Sequence, residues 1–203
     1  MKYIAAIFFL SISLAGFSQK FNAGMFAGVS ASQVDGDFYS GFKKLGLTSG
    51  AYVNREVSSD IYWQLEIKWV MRGVYEGPTN SNPDFLYRSA YHYIEFPLSV
   101  HYLWNEKVQV EAGFSPEVLV NVKFWDQDGI LDPSQYPENR RVGLSVFAGI
   151  HYWYTDKTSV GIRYTYSAFP FRDPQEWNNP QYRGYFHNVL ALSMGFRILQ
   201  NGM

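Results

Sequence analysis

Over Asp60 to Gly73, DIYWQLEIKWVMRG, the chain changes character at every step. Ile61, Trp63, Leu65, Ile67, Trp69 and Met71 share one parity; Tyr62, Gln64, Glu66, Lys68 and Arg72 share the other, with Val70 the one aliphatic residue among them. A β-strand sends successive side chains to opposite faces, whereas a helix returns an apolar residue every three or four positions. Alternation of this length demands an extended strand with one wide apolar face and one charged face.

The same period returns in seven further segments: Phe21 to Ser32, Leu45 to Asn54, Tyr87 to Leu103, Val108 to Phe124, Val142 to Tyr154, Thr158 to Ala168, and a last strand carrying Leu190, Leu192, Met194, Phe196 and Ile198. Val108 to Phe124 is read as keeping one parity throughout. Long polar loops (33–44, 74–86, 126–141, 169–184) alternate with short turns around Val57–Ser59, Asn105–Lys107 and Thr155–Lys157. No segment has the helical period. The pattern predicts an all-β chain, an eight-stranded antiparallel up-and-down barrel.

Alternation does not say which face is outside, but volume does. Eight strands enclose a space that side chains only just fill. The apolar parity offers Trp63, Trp69, Phe96, Phe114, Tyr164 and Phe196, too much bulk for that interior, while the other parity is rich in Gly, Ser and Thr. The apolar face therefore points outward, to lipid. Short turns at one end and long loops at the other fit a transmembrane barrel with short periplasmic turns and long extracellular loops. Each strand is long enough to cross the apolar layer at a tilt. The 19% aromatic content supplies a girdle, with Trp63, Tyr102, Trp104, Tyr152 and Tyr154 near strand ends. Pro97 and Pro116 fall within strands and cannot donate to a ladder, which predicts a bulge or a missing bond at each.

Lys2, the apolar run Ile4 to Leu14, and Gly16 and Ser18 before Gln19 compose a secretory signal peptide over 1–18, leaving 19–203 as the barrel domain. Seventeen basic against 18 acidic residues give no field for nucleic acid. The absence of Cys excludes disulfides and thiolate metal sites.

YIEFPLSVHY at Tyr93 to Tyr102, then a short turn and VQVEAGFSP, resembles the central motif of the PorT-like outer-membrane β-barrel family of Bacteroidota; GLTSGAYVN and the Asp35-Gly36-Asp37 loop fit it too. The resemblance implies an eight-stranded barrel in a Gram-negative outer membrane, after export to the periplasm. It implies little chemistry, since most members have no assigned activity and one branch serves protein secretion.

The inward parity carries Glu66, Glu95, Glu111 and Glu117 with Lys68, Arg72, Lys123, Arg163 and Arg197. Near balance of charge reads as a salt-bridged filling of the lumen, because an unpaired charge there is costly; an ion path is the sharper alternative. His101, His151 and His187 also point inward, so a His101–Glu111 pair can form. His92 is on the lipid-facing parity where a lipid-modifying enzyme would hold its base, but Trp69, Met71, Val118 and Val120 beside it offer no nucleophile. Asp126, Asp128, Gly129 and Asp132 match part of a calcium loop but lack its bidentate Glu, and an exposed turn explains them as well. Phe38, Tyr39, Phe42, Trp125, Tyr136, Phe171 and Trp177 place aromatics in the long loops, where contact sites form. The sequence thus points to a non-enzymatic barrel without cofactor. Its expected surroundings are outer-membrane lipid and lipopolysaccharide, and it is expected to act with other outer-membrane proteins as an accessory or structural subunit. A narrow channel or a lipid-modifying enzyme stands as the alternative.

Overall fold

The computed structural model describes residues 21–37, 39, 41–78, 80, 82–132, 134, 138–173 and 184–199. The expected signal peptide lies outside them. Eleven strands follow in order: β1 (Asn22–Asp35), β2 (Lys44–Ser58), β3 (Ile61–Arg72), β4 (Tyr75–Glu76), β5 (Tyr87–Glu95), β6 (Leu98–Leu103), β7 (Val108–Asp126), β8 (Gly129–Leu131), β9 (Val142–Trp153), β10 (Thr158–Ser167) and β11 (Phe186–Leu199). β5 and β6 are two halves of one stave, both paired with β3 and with β7. β4 and β8 are short extensions at the loop end. The wall is therefore eight staves, each antiparallel to its chain neighbours, and β1 pairs with β11 to close the ring. Closure removes the exposed sheet edge that would invite aggregation.

Two of the short turns at the end holding Asn22 and Leu199 are each tied by one side chain. Asn105 Oδ1 accepts from the amides of Lys107 and Val108 at 3.0 and 2.9 Å. Thr155 Oγ1 accepts from those of Lys157 and Thr158 at 3.2 and 3.0 Å.

Burial follows parity. Leu45, Leu47, Ile67, Val100, Ile150, Ile162 and Met194 are each more than half exposed on the outer wall, while Ser30, Thr48, Gln64, Glu66, Ser99 and Thr165 are buried inside. Exposed to water, that apolar belt would cost about 25 cal/mol per Å²; in hydrocarbon it costs nothing. Tyr102, Trp104, Tyr152 and Tyr154 ring the short-turn end, each roughly half exposed or more.

The prolines leave gaps without bulges. Leu65 pairs with Leu98 and Lys68 with Glu95, so register runs unbroken past Pro97. Pro97 accepts from the Glu66 amide and Pro116 from the Phe96 amide, both at 2.9 Å, but neither can return the bond. The bulge lies elsewhere. Tyr93 pairs with Leu119 but His92 with Asn121, so Val120 is an extra residue in β7. Beyond it the parity inverts. This corrects the single parity expected for Val108 to Phe124: Phe124 is fully buried and Lys123 exposed.

Candidate functional site

The lumen is filled by two ionic clusters, one above the other. Nearer the short turns, Arg163 of β10 reaches across to β3 and β7. Its guanidinium meets Glu66 at 2.6 and 2.9 Å and Glu111 at 2.6 and 2.8 Å, and lies 4.4 Å over the Phe147 ring. Gln64 donates to Glu66 at 2.8 Å, Asn54 to Gln64 and Asn22 to Asn54, both at 3.1 Å, so a polar relay runs down to the short-turn mouth. Toward the loops, Lys68 pairs with Glu95 at 2.5 Å, and Arg72 pairs with Glu95 and, at 2.8 and 3.2 Å, with Glu117. Ser145 donates to Glu117 at 2.7 Å. Two carboxylates bound in two directions by one guanidinium make each cluster a cross-tie between distant staves. Bidentate Arg–carboxylate geometry is the strongest form such a tie takes.

Above the ions sits an aromatic lid. Phe171 stacks on His187 at 3.9 Å and 12°, Tyr91 meets both edge-on, and Phe124, Val34, Val70 and Val74 complete the packing. Arg172 donates to the Tyr91 hydroxyl at 3.0 Å and to Asn139 at 3.1 Å, anchoring the loop after β10 on the lid. Sequence patterning did not reveal this lid, because Phe171 and Arg172 are loop residues with no period to place them.

Seven of the nine expected lumenal charges, Glu66, Lys68, Arg72, Glu95, Glu111, Glu117 and Arg163, are buried and ion-paired. Lys123 is a correction, carried to the outer surface by the Val120 bulge. Arg197 stands apart at the short-turn mouth, 4.3 Å over the Trp153 ring. The expected near balance therefore shifts: within the two clusters, four carboxylates face three bases.

The loop aromatics divide. Phe38, Tyr136 and Trp177 lie outside the described residues. Phe171, expected as a contact residue, is 5% exposed, a correction whose cause is its stacking in the lid. Tyr39 stacks on Tyr87 at 5.3 Å, and Trp125 lies under Arg88 at 4.8 Å. Phe42 is 38% exposed. Beside Tyr39, Asp37 accepts from its amide at 3.0 Å. Burial, with Asp35 and Glu76 nearby, pushes the Asp37 carboxyl up to about 6 against that bond.

His92 faces outward and stacks on Trp69 at 5.7 Å. Asp126 accepts from the amides of Asp128 and Gly129 at 2.9 and 3.1 Å, and Gly129 adopts φ 127, so this carboxylate shapes a hairpin turn. Asp132 accepts from Ser134 at 2.9 Å, which holds its carboxyl below the usual range. Among the described residues the one set of three potential metal ligands that converges is His101, Glu111 and His151. The expected His101–Glu111 pair is 3.4 Å apart.

A family model described as an outer membrane protein beta-barrel domain matches residues 17–172. No curated protein matches the chain. Among solved structures, the attachment invasion locus protein Ail of Yersinia pestis, crystallised with the heparin analogue sucrose octasulfate, is similar: TM-score 0.53, 16% identity, 88% of this chain and 99% of that one. Neisserial surface protein A is similar at TM-score 0.53 and 11% identity, over 88% of this chain and 97% of that one. Identities this low speak for the fold.

Proposed function

From the premise that the chain belongs to the outer membrane protein beta-barrel domain family and sits in the outer membrane, we propose that it is a non-enzymatic accessory or structural subunit of a larger envelope complex. The carrying observation is the filled lumen. Two cross-tying ionic clusters and an aromatic lid occupy the bore, so the surfaces left for function are the loops and the outer wall. Among the described loop aromatics, Phe171 is buried and Tyr39 and Trp125 are packed against neighbours, which favours the wall. There, Val110, Ala148, Ile150, Tyr152, Val160, Ile162 and Tyr164 line a shallow, almost wholly apolar groove across β7, β9 and β10. The likeness of Tyr93 to Tyr102 to PorT-like barrels, one branch of which serves protein secretion, supports the same reading. So does the outer wall around His92, which presents no nucleophile.

The test is extraction of the native protein in mild detergent and separation under non-denaturing conditions. A discrete species of fixed stoichiometry, lost when Ala148→Trp fills the groove, is the expected result. A lone monomer before and after the substitution sinks the subunit reading.

A further inference from the structure

We propose that His101, Glu111 and His151 bind a divalent transition-metal ion of the zinc class inside the short-turn half of the lumen. The three residues come from neighbouring staves. His101 of β6 is directly opposite Glu111 of β7, and His151 of β9 is two residues from Gly149, the partner of Glu111. Their ligand atoms all lie within 4.8 Å of one another. His101 Nε2 is 3.4 Å from Glu111 Oε2, and His151 Nε2 is 3.1 Å from Glu111 Oε1. Two ligands bound tetrahedrally at roughly 2.0–2.1 Å from one ion are themselves separated by about 3.4 Å, so both edges fit, and a small ring rotation closes the third. Imidazole nitrogen with carboxylate oxygen is a donor set suited to zinc.

Three independent features mark the place as built. The first is a buried polar atom short of a well-formed hydrogen bond: His151 Nε2 faces Glu111 Oε1 at 3.1 Å without the alignment of one, although most buried polar atoms are satisfied. Ser99 Oγ, at 2.9 Å, also meets His101 Nε2, and it is neutral.

The second is space. A Cβ on Gly149 would press within 2.5 Å of Glu111 Oε1, and one on Gly161 would overlap His151 Nδ1. Two glycines thus clear room for these side chains and no others.

The third is charge. The cluster near the loops balances Glu95 and Glu117 against Lys68 and Arg72. The cluster beside the histidines sets Glu66 and Glu111 against Arg163 alone. A zinc ion carrying one bound hydroxide has net charge +1, which cancels the excess; bound water ionises readily on zinc. A buried excess charge left alone is expensive.

An entry path exists. A cavity of about 40 Å³ touches Glu66, His101, Gln109, His151, Trp153 and Arg163, enough for an ion with a water. It shares Gln109 and Trp153 with a vestibule of about 330 Å³ that opens at the short turns beside Glu106 and Asp156. The Trp153 indole donates to Gln109 at 3.3 Å, so this pair forms the partition between them.

The full barrel, refolded in detergent and stripped with a chelator, would be titrated with zinc chloride by calorimetry and with cobalt(II) by visible absorbance. The expected result is one ion per chain, with affinity falling about tenfold or more in His101→Gln and in His151→Gln and unchanged in His92→Gln. Should a lumenal variant fail to fold, imidazole NMR of the wild type decides: zinc must shift His101 and His151 and leave His92 in place. No saturable binding by the wild type, equal binding by the double variant, or shifts confined to other histidines would overturn the proposal.

Discussion

Glu66 carries more of the molecule than any single residue of the outer wall. It is buried, holds both arms of Arg163, and receives Gln64. Glu66→Leu leaves the guanidinium with one carboxylate instead of two and Gln64 without its acceptor, and losing a buried hydrogen bond to a charged group typically costs about 1.5–3 kcal/mol. Urea titration of the folded barrel in detergent should show that loss, while Lys123→Ala, on the exposed side of the bulge, should stay within about 0.5 kcal/mol. Equal midpoints for Glu66→Leu and wild type would contradict the cross-tie. Asp37 gives a pH dependence of defined sign. Its folded-state pKa of about 6 exceeds the ordinary 3.8, so the native loop holds this proton more tightly than the unfolded chain. Its contribution is therefore complete below about pH 4, declines as pH rises toward 6 and is gone above that. The difference in thermal midpoint between wild type and Asp37→Asn should fall across that window; a flat difference would reject the assignment.

At the scale of elements, β7 is the strand that patterning misread. In the sequence only Leu119 interrupts its alternation, and Val120 is an added residue opposite the His92–Tyr93 step. A one-residue slip moves every later side chain to the other face, so Val122 and Phe124 turn inward to the lid and Lys123 turns out. Both parities there are chemically plausible, Val-Val-Phe on one and Asn-Lys on the other, and only the need to roof the bore selects between them. Deleting Val120 should turn β7 into an unbroken ladder with Lys123 still outside and Phe124 still inside, so the heat-resistant, compact band of the folded barrel on gels should persist. Val120→Ala should retain it. A deletion variant that loses the band would show that Val120 is more than an added residue in the ladder. The prolines teach the converse lesson. Their positions predict irregularity, and they do remove bonds, but Glu66 and Phe96 still donate to their carbonyls and register survives.

At the scale of the whole molecule, the filled bore sets the expectation for transport. Reconstituted in planar bilayers, the barrel should conduct no more than a protein-free membrane. Conductance well above background would revive the channel reading, and the two ionic clusters would then be its filter rather than its filling. Eight staves, their antiparallel order, the outward apolar belt and the girdle at the short-turn end were all legible in the sequence, because each follows from a period of two, a turn length or the volume an eight-stranded ring can hold. Seven charges of the interior were legible for the same reason. Which carboxylate meets which base was not, since Arg163 joins residues 97 and 52 positions away and strand register around a closed ring is set by bulges that leave no mark on the alternation. The lid was invisible too, because Phe171, Arg172 and His187 are brought together by a loop folding back over the bore. Sequence alone determined that this chain forms an outward-greasy barrel. Tertiary structure alone decided that its two ionic clusters hold one carboxylate more than their three bases and that this excess sits beside two histidines, because charge balance in a lumen depends on which side chains the closed wall admits.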